Sequence, residues 1–303
     1  MRSALQLALR AGLPLAAMLA SAAVHADSER TFERQVAAQP RGVVDISNVS
    51  GEIEVTGWDR AEVSVHGELS GGVERVDVSS EGARTIVKVV MPSHSEHGGN
   101  ADLRVQIPQD SELVVTAVSA DITTGGVHGV QRLNTVSGDV SAEIAGADLE
   151  LKSVSGGVKV TGHGQAAQLR LSTVSGDLRL EHGAGELEAH TVSGALKVSL
   201  DSARSVHVRS TSGDVHFSGR LTRGATLDAS SVSGNLKVRA SAEGGYGYEA
   251  SSFSGDIGDC FDVKSERTSK YAPGSTLQGT RGEGAGHVHL KTLSGDIELC
   301  DRL

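Results

Sequence analysis

The tripeptide Ser-Gly-Asp, or a close variant, recurs along this chain with an aliphatic residue two places after its glycine every time. With that glycine as position 0, the copies centre on Gly51, Ala120 (a degenerate copy), Gly138, Gly156, Gly176, Gly194, Gly213, Gly234, Gly255 and Gly295. From 120 to 255 the steps are 18, 18, 20, 18, 19, 21 and 21 residues. Such a period marks a repeat architecture, whose units cannot bury their apolar faces alone and must stack on one another.

Apolar residues hold fixed places in this frame. Position +2 is always Ile, Val or Leu, and −2 is Val, Leu or Phe except at Thr211. Position −5 is mostly aliphatic, and −7 is Leu or Val in most copies, with Gln131 and Tyr248 departing. We read −7, −5, −2, +2 and usually +4 as inward. Period-two alternation marks strands. The phase slips once between −5 and −2, which predicts a corner near −4 and −3. Outward position −6 alternates in charge through Arg132, Glu150, Arg170 and Glu188. Adjacent strands lie about 4.8 Å apart, so an alternating column attracts where a uniform one would repel. The expected fold is all-β: a single-domain, right-handed parallel β-solenoid (β-helix-like) of about ten coils of 18–21 residues, with two insertions.

The first insertion covers about 58–110. Within it GVERVDVSSEGARTIVKVV reads as a hairpin and HSEHGGN (94–100) as a loop. The second, about 261–286, reads as looped out, which leaves the Gly255 and Gly295 coils adjacent. Cys260 and Cys300 are the only cysteines and both sit at +5. In adjacent coils their Cα atoms fall within disulfide range, so a Cys260–Cys300 bond is expected. The last coil ends almost at Leu303, leaving an edge for the insertion or another chain to cap.

Residues 1–26 read as a secretory signal peptide. Arg2 and Arg10 precede the apolar run 11–23, and Val24-His25-Ala26 offers a cleavage site. The solenoid then occupies 27–303, in the periplasm or at the cell surface, where disulfides are permitted. No later stretch is apolar enough to span a bilayer. A net charge of −10 argues against a nucleic-acid partner. Aromatic residues are only 3%, poor material for sugar-stacking platforms.

The opening VVDISNVSGEIEVTGWDRAEVSVHGEL (43–69), the serial VSGD copies and the closing HVHLKTLSGDIEL (287–299) resemble the bacterial exported β-strand-repeat "putative adhesin" family of unknown function. The resemblance covers nearly all of the chain after residue 26. It implies the repeat fold and an exported location, and it carries no catalytic residue.

Candidate sites lie in the outward columns. Position −1 is Ser in all ten copies, which argues for a hydroxyl ladder rather than one activated nucleophile. Position +1 is mostly acidic, and the pairs Asp121/Asp139 and Asp256/Asp296 could face a cation. Two carboxylates are too few for calcium, so no metal or cofactor is expected. Lys159, Arg179, Lys197 and Lys237, all at +3, form a possible anion-facing stripe. His94-x-x-His97 and His287-x-His289 have zinc-like spacing without a completing ligand set. Trp58 reads as an end cap. The expected function is a non-catalytic, adhesin-like binding or scaffold module of the envelope or surface, with a protein or glycan partner. The alternatives are a polysaccharide-active β-helix enzyme, of lyase or esterase class, and an envelope-stress or regulatory module.

Overall fold

The computed structural model describes residues 30–92, 98–261, 266–267 and 274–301. The expected signal peptide, His94 and His97 lie outside them. Among the described residues every regular element is a β-strand, and no helix is long and apolar enough to cross a membrane. The first strands are β1 (Arg30–Ala37), β2 (Val43–Trp58), β3 (Glu62–Leu69), β4 (Arg75–Glu81), β5 (Arg84–Val90), β6 (Ala101–Pro108) and β7 (Glu112–Gly125). The middle holds β8 (Gln131–Ser137), β9 (Val140–Ile144), β10 (Leu149–Ser155), β11 (Val158–Gly162), β12 (Ala166–Ser175), β13 (Leu178–Ser193), β14 (Leu196–Ser210) and β15 (Val215–Ser231). There follow β16 (Leu236–Ala242), β17 (Gly245–Ser252), β18 (Ile257–Asp259), β19 (Glu266–Arg267), β20 (Ser275–Gly282), β21 (Gly286–Thr292) and β22 (Ile297–Cys300).

Successive copies pair in parallel and in repeat register, as a β-solenoid requires. Leu151 sits between Leu133 and Leu171 on β8, β10 and β12. Val158 sits between Val140 and Leu178 on β9, β11 and β13. Positions −7, −5, +2 and +4 fill one continuous core, with Leu133, Leu151, Val160 and Leu196 fully buried. The departing Gln131 is also buried: its side chain accepts from the buried Thr124 hydroxyl at 2.7 Å and donates to the Glu143 carbonyl at 2.7 Å.

At both ends the stacking order departs from chain order. β21 pairs with β15 on one side and β17 on the other, and β22 lies likewise between β16 and β18. The Gly295 coil is therefore tucked between the Gly234 and Gly255 coils, and the Gly255 coil is outermost. Part of the second insertion, β20, covers that edge by pairing antiparallel with β17. The edge predicted at the last coil is thus one coil further out. At the other end β2 pairs with β7 on one side and with β5 and β6 on the other. Within the expected loop insertion, β5 and β6 therefore stack in parallel outside the first coil. The predicted hairpin is present as antiparallel β4 and β5, and β3 and β1 extend the antiparallel edge on β6. Antiparallel strands at both ends pair backbone groups that a bare end coil would expose.

The corner also lies elsewhere than predicted. Position −3 (Thr135, Ser153, Thr173, Thr191, Ser210, Ser231, Ser252, Thr292) is buried, and −2 points outward. Alternation runs unbroken through −7, −5 and −3, and the chain turns at −2 to 0. In five of these eight the hydroxyl serves the turning backbone, whereas the buried hydroxyls of Thr173, Thr191 and Ser231 have no partner among the described residues. Gly213 N–H donates to the Ser210 hydroxyl at 2.9 Å, and the Ser252 hydroxyl donates to the Gly295 carbonyl at 2.9 Å.

Candidate functional site

The Ser-Gly-Asp corner is a stacking device. Gly176 has φ +152°, and a Cβ there would lie 2.1 Å from the Gly156 carbonyl oxygen. Gly156 in turn abuts Gly138, and Gly194 abuts Gly176. Backbone of the neighbouring coil, not an opposing wall of side chains, excludes any larger residue. The +1 carboxylates complete the corner. Asp121 accepts from Asp139 N–H at 2.8 Å, Asp139 from Gly157 N–H at 2.7 Å, and Asp177 from Ala195 N–H at 2.8 Å. Asn235 accepts from Asp296 N–H, and Asp296 from Asp256 N–H, each at 2.9 Å. The metal candidates Asp121, Asp139, Asp256 and Asp296 belong to this ladder. Among the described residues the one close set of metal-ligating side chains is Cys260, Glu298 and Cys300. Its cysteines are joined in a disulfide, Cα to Cα 5.0 Å, linking the outermost coil to the coil tucked beneath it.

The outward charge columns follow true stacking order. At −6 the sequence order ends Asp228, Glu249, His289, which breaks the alternation. In space His289 sits between Asp228 and Glu249, after His207 and Asp228. Asp228 lies 3.3 Å from His207 and 3.6 Å from His289. His289 thus faces Asp228, and among the described residues no ligand set includes His287 and His289. Lys152, bonded to Glu150, holds that carboxyl below the usual range, helped by Arg132 and Arg170. His190 does the same to Glu188.

The +3 stripe is contiguous. Lys159, Arg179, Lys197, His216 and Lys237 occupy consecutive rungs. Arg179 pairs with Glu181 at 2.7 Å and Lys237 with Glu298 at 2.9 Å. Trp58 is half-buried near the amino-terminal end, with the Arg60 guanidinium 4.9 Å above its ring.

The feature that sequence reasoning missed is an exposed apolar ridge. Position −2 stacks as Val49, Val118, Val136, Val154, Val174, Val192, Thr211, Val232, Leu293 and Phe253, and its apolar members are 40–54% exposed. The backbone carries the register across the corners: Ser212 N–H reaches the Val192 carbonyl and Ser294 N–H the Val232 carbonyl, both at 2.8 Å. Beside the ridge, between Val174 and Phe253, runs a groove of about 1050 Å³. Its other bank is the −4 column, where His190, Arg209 and Lys291 stand among serines. The signal was available in the unbroken −7, −5, −3 alternation, which hydrophobicity at −2 overrode.

A family model described as Toastrack DUF4097 matches residues 44–300. The chain belongs to the Toastrack DUF4097 family. Among curated proteins, none matches it. A solved structure of a "putative adhesin" from Parabacteroides merdae is similar to this chain at TM-score 0.50 and 12% identity, over 89% of this chain and 96% of that one. A "putative lipid binding protein" from Parabacteroides distasonis aligns at TM-score 0.48 and 11% identity, over 89% and 96% of the two chains. At these identities the Toastrack likeness speaks for fold alone.

Proposed function

We propose that this Toastrack chain is an exported, non-catalytic, adhesin-like module that binds a partner in the cell envelope or at the cell surface. The observation that carries this reading is the apolar ridge, present in nine of the ten copies and uncovered along its length. Monomeric soluble proteins rarely leave a contiguous apolar strip exposed, and such strips serve interaction. The corner columns support it, because their serines and aspartates repeat as stacking elements; outside those columns the Ser205 hydroxyl lies 3.2 Å from His207 Nε2, whose Nδ1 is 3.3 Å from Asp228, so Ser205 is the position at which the enzymatic alternative is tested. The reading includes removal of residues 1–26 on export and a right-handed winding of about ten coils. The partner class is an envelope protein or glycan.

Crosslinking in intact cells, followed by mass spectrometry, tests it. The expected product is a crosslink from ridge or groove positions to an envelope component, retained in part by any single-residue variant. Depolymerisation or deacylation of an envelope polysaccharide by the purified protein, abolished by one substitution, would replace this reading with an enzymatic one.

A further inference from the structure

The ridge is not uniform, and its one irregularity coincides with unpaired charge. Thr211 replaces the aliphatic residue midway along the groove, between Val192 and Val232. Threonine is isosteric with valine, so the ridge keeps its height there but carries a hydroxyl in place of a methyl. Across the groove, on the same coil, stands Arg209. Ser230 lies next to it and Lys291 one rung further. The two cations are therefore about 10 Å apart, two strand spacings. Neither makes an ion pair or hydrogen bond with another described residue, whereas Lys152 and His190 in the same column are held by Glu150 and Glu188.

The −4 column contains no acid at all. In stacking order it reads Ser47, Thr116, Asn134, Lys152, Ser172, His190, Arg209, Ser230, Lys291, Ser251. On a chain of net charge −10 this bank is a local exception. The groove thus has one apolar side, one side with two cations that no described residue pairs, and a polar gap in the ridge opposite them. Its volume falls within the range of small-ligand sites. From Val174 to Phe253 the ridge runs five rungs, about 24 Å. One acyl chain spans about 15 Å, half of a bilayer's hydrocarbon core. A single chain laid along Val232, Leu293 and Phe253, three rungs or about 14 Å from Thr211, fits with its head group at Thr211.

We propose that this groove binds a single-chain anionic amphiphile, its hydrocarbon tail along the ridge and its anionic head between Arg209 and Lys291. The proposal deepens the binding-module reading and rests on it. Concavity and free positive charge together favour this occupant over a flat protein face, which would need no paired cations beside an apolar wall.

The test is titration calorimetry of the purified full chain with laurate below its micelle concentration. Dodecyltrimethylammonium serves as a tail-matched cation, and phosphatidylglycerol vesicles as a membrane arm. Saturable laurate binding near one per chain is expected, with binding of the cationic analogue at least ten-fold weaker. Arg209→Gln with Lys291→Gln should weaken laurate at least ten-fold, and so should Val232→Ser with Leu293→Ser. Val154→Ser, on the same ridge outside the groove, should leave it unchanged. Far-UV circular dichroism confirms that each variant folds. Equal binding of laurate and its cationic analogue overturns the proposal. So does undiminished binding by both double variants, or vesicle binding without saturable laurate binding. If laurate fails while crosslinking still captures an envelope protein or glycan, only the ligand assignment falls.

Discussion

Replacing Gly176 by alanine isolates what the glycine column does. An added Cβ would sit 2.1 Å from the Gly156 carbonyl oxygen and 2.9 Å from its carbon. Both are main-chain atoms, so relief requires the two coils to separate locally. The φ of +152° adds backbone strain for any L side chain. Strain of this kind costs about 1–3 kcal/mol, and overpacking about 1–3 kcal/mol more, giving about 2–6 kcal/mol in all. Two controls separate the contributions. Gly224 has φ +76° and open space within 4 Å of where a Cβ would stand, so Gly224→Ala should cost about 1–2 kcal/mol from strain alone. Gly258 has the same open space without a positive φ, and Gly258→Ala should be neutral or slightly stabilising. Urea unfolding followed by far-UV circular dichroism gives the ranking. Hydrogen exchange across the Gly156, Gly176 and Gly194 coils guards against local opening, because repeat arrays need not unfold as one unit. If Gly176→Ala costs no more than Gly224→Ala, coil-to-coil contact is not what selects glycine at position 0.

The same corner predicts that Asp177→Asn is nearly silent while Asp177→Ala loses about 1 kcal/mol, since either acceptor oxygen can take the Ala195 N–H and a methyl cannot; urea midpoints decide. Replacing Cys260 and Cys300 by serine should remove up to about 4 kcal/mol, from a loop of 40 residues' separation, with faster hydrogen exchange confined to the carboxy-terminal coils. Glu150 and Glu188 have depressed pKa values, through Lys152 and His190 respectively. Their stabilisation is fully present above the unfolded carboxyl value of about 4.3 and is lost as pH falls through the folded values. Melting temperature should therefore hold from pH 7 to 5 as far as these groups act, then fall below about 4.3, less steeply in Glu150→Gln. Tyr246 runs the opposite way: burial pushes it up to about 12, so its contribution is whole below pH 10 and lost as pH rises through the folded value. Absorbance at the phenolate band should show this tyrosine ionising only with alkaline unfolding.

How far the sequence reveals this molecule depends on whether side-chain type or backbone demand decides a position. At −7, −5 and +2 the two agree, and Leu151, Leu171 and Leu178 are where their pattern puts them. At −3 and −2 they conflict. The turning chain leaves amide and carbonyl groups that the hydroxyls of Thr135, Ser153, Ser210, Ser252 and Thr292 bond, so this column is polar inside and valine is turned out, against hydrophobicity, even though the Thr173, Thr191 and Ser231 hydroxyls find no partner among the described residues. Coil order is hidden for another reason. Repeats are interchangeable by pattern, and nothing in the Gly255 or Gly295 copies says which is outermost. The −6 column does carry that information, because only the order His207, Asp228, His289, Glu249 alternates, but it becomes a clue once register is known. The groove needed both facts: −2 turned outward makes Val192, Val232 and Leu293 one wall, and the tucked coil brings Lys291 to within two rungs of Arg209. Chain order alone would have put the Gly255 coil, with Ser251 at −4, in that place. The Arg209–Lys291 pair, unpaired among the described residues, thus exists because the last coil is threaded between its two predecessors, and the Cys260–Cys300 bond ties that coil to its outer neighbour.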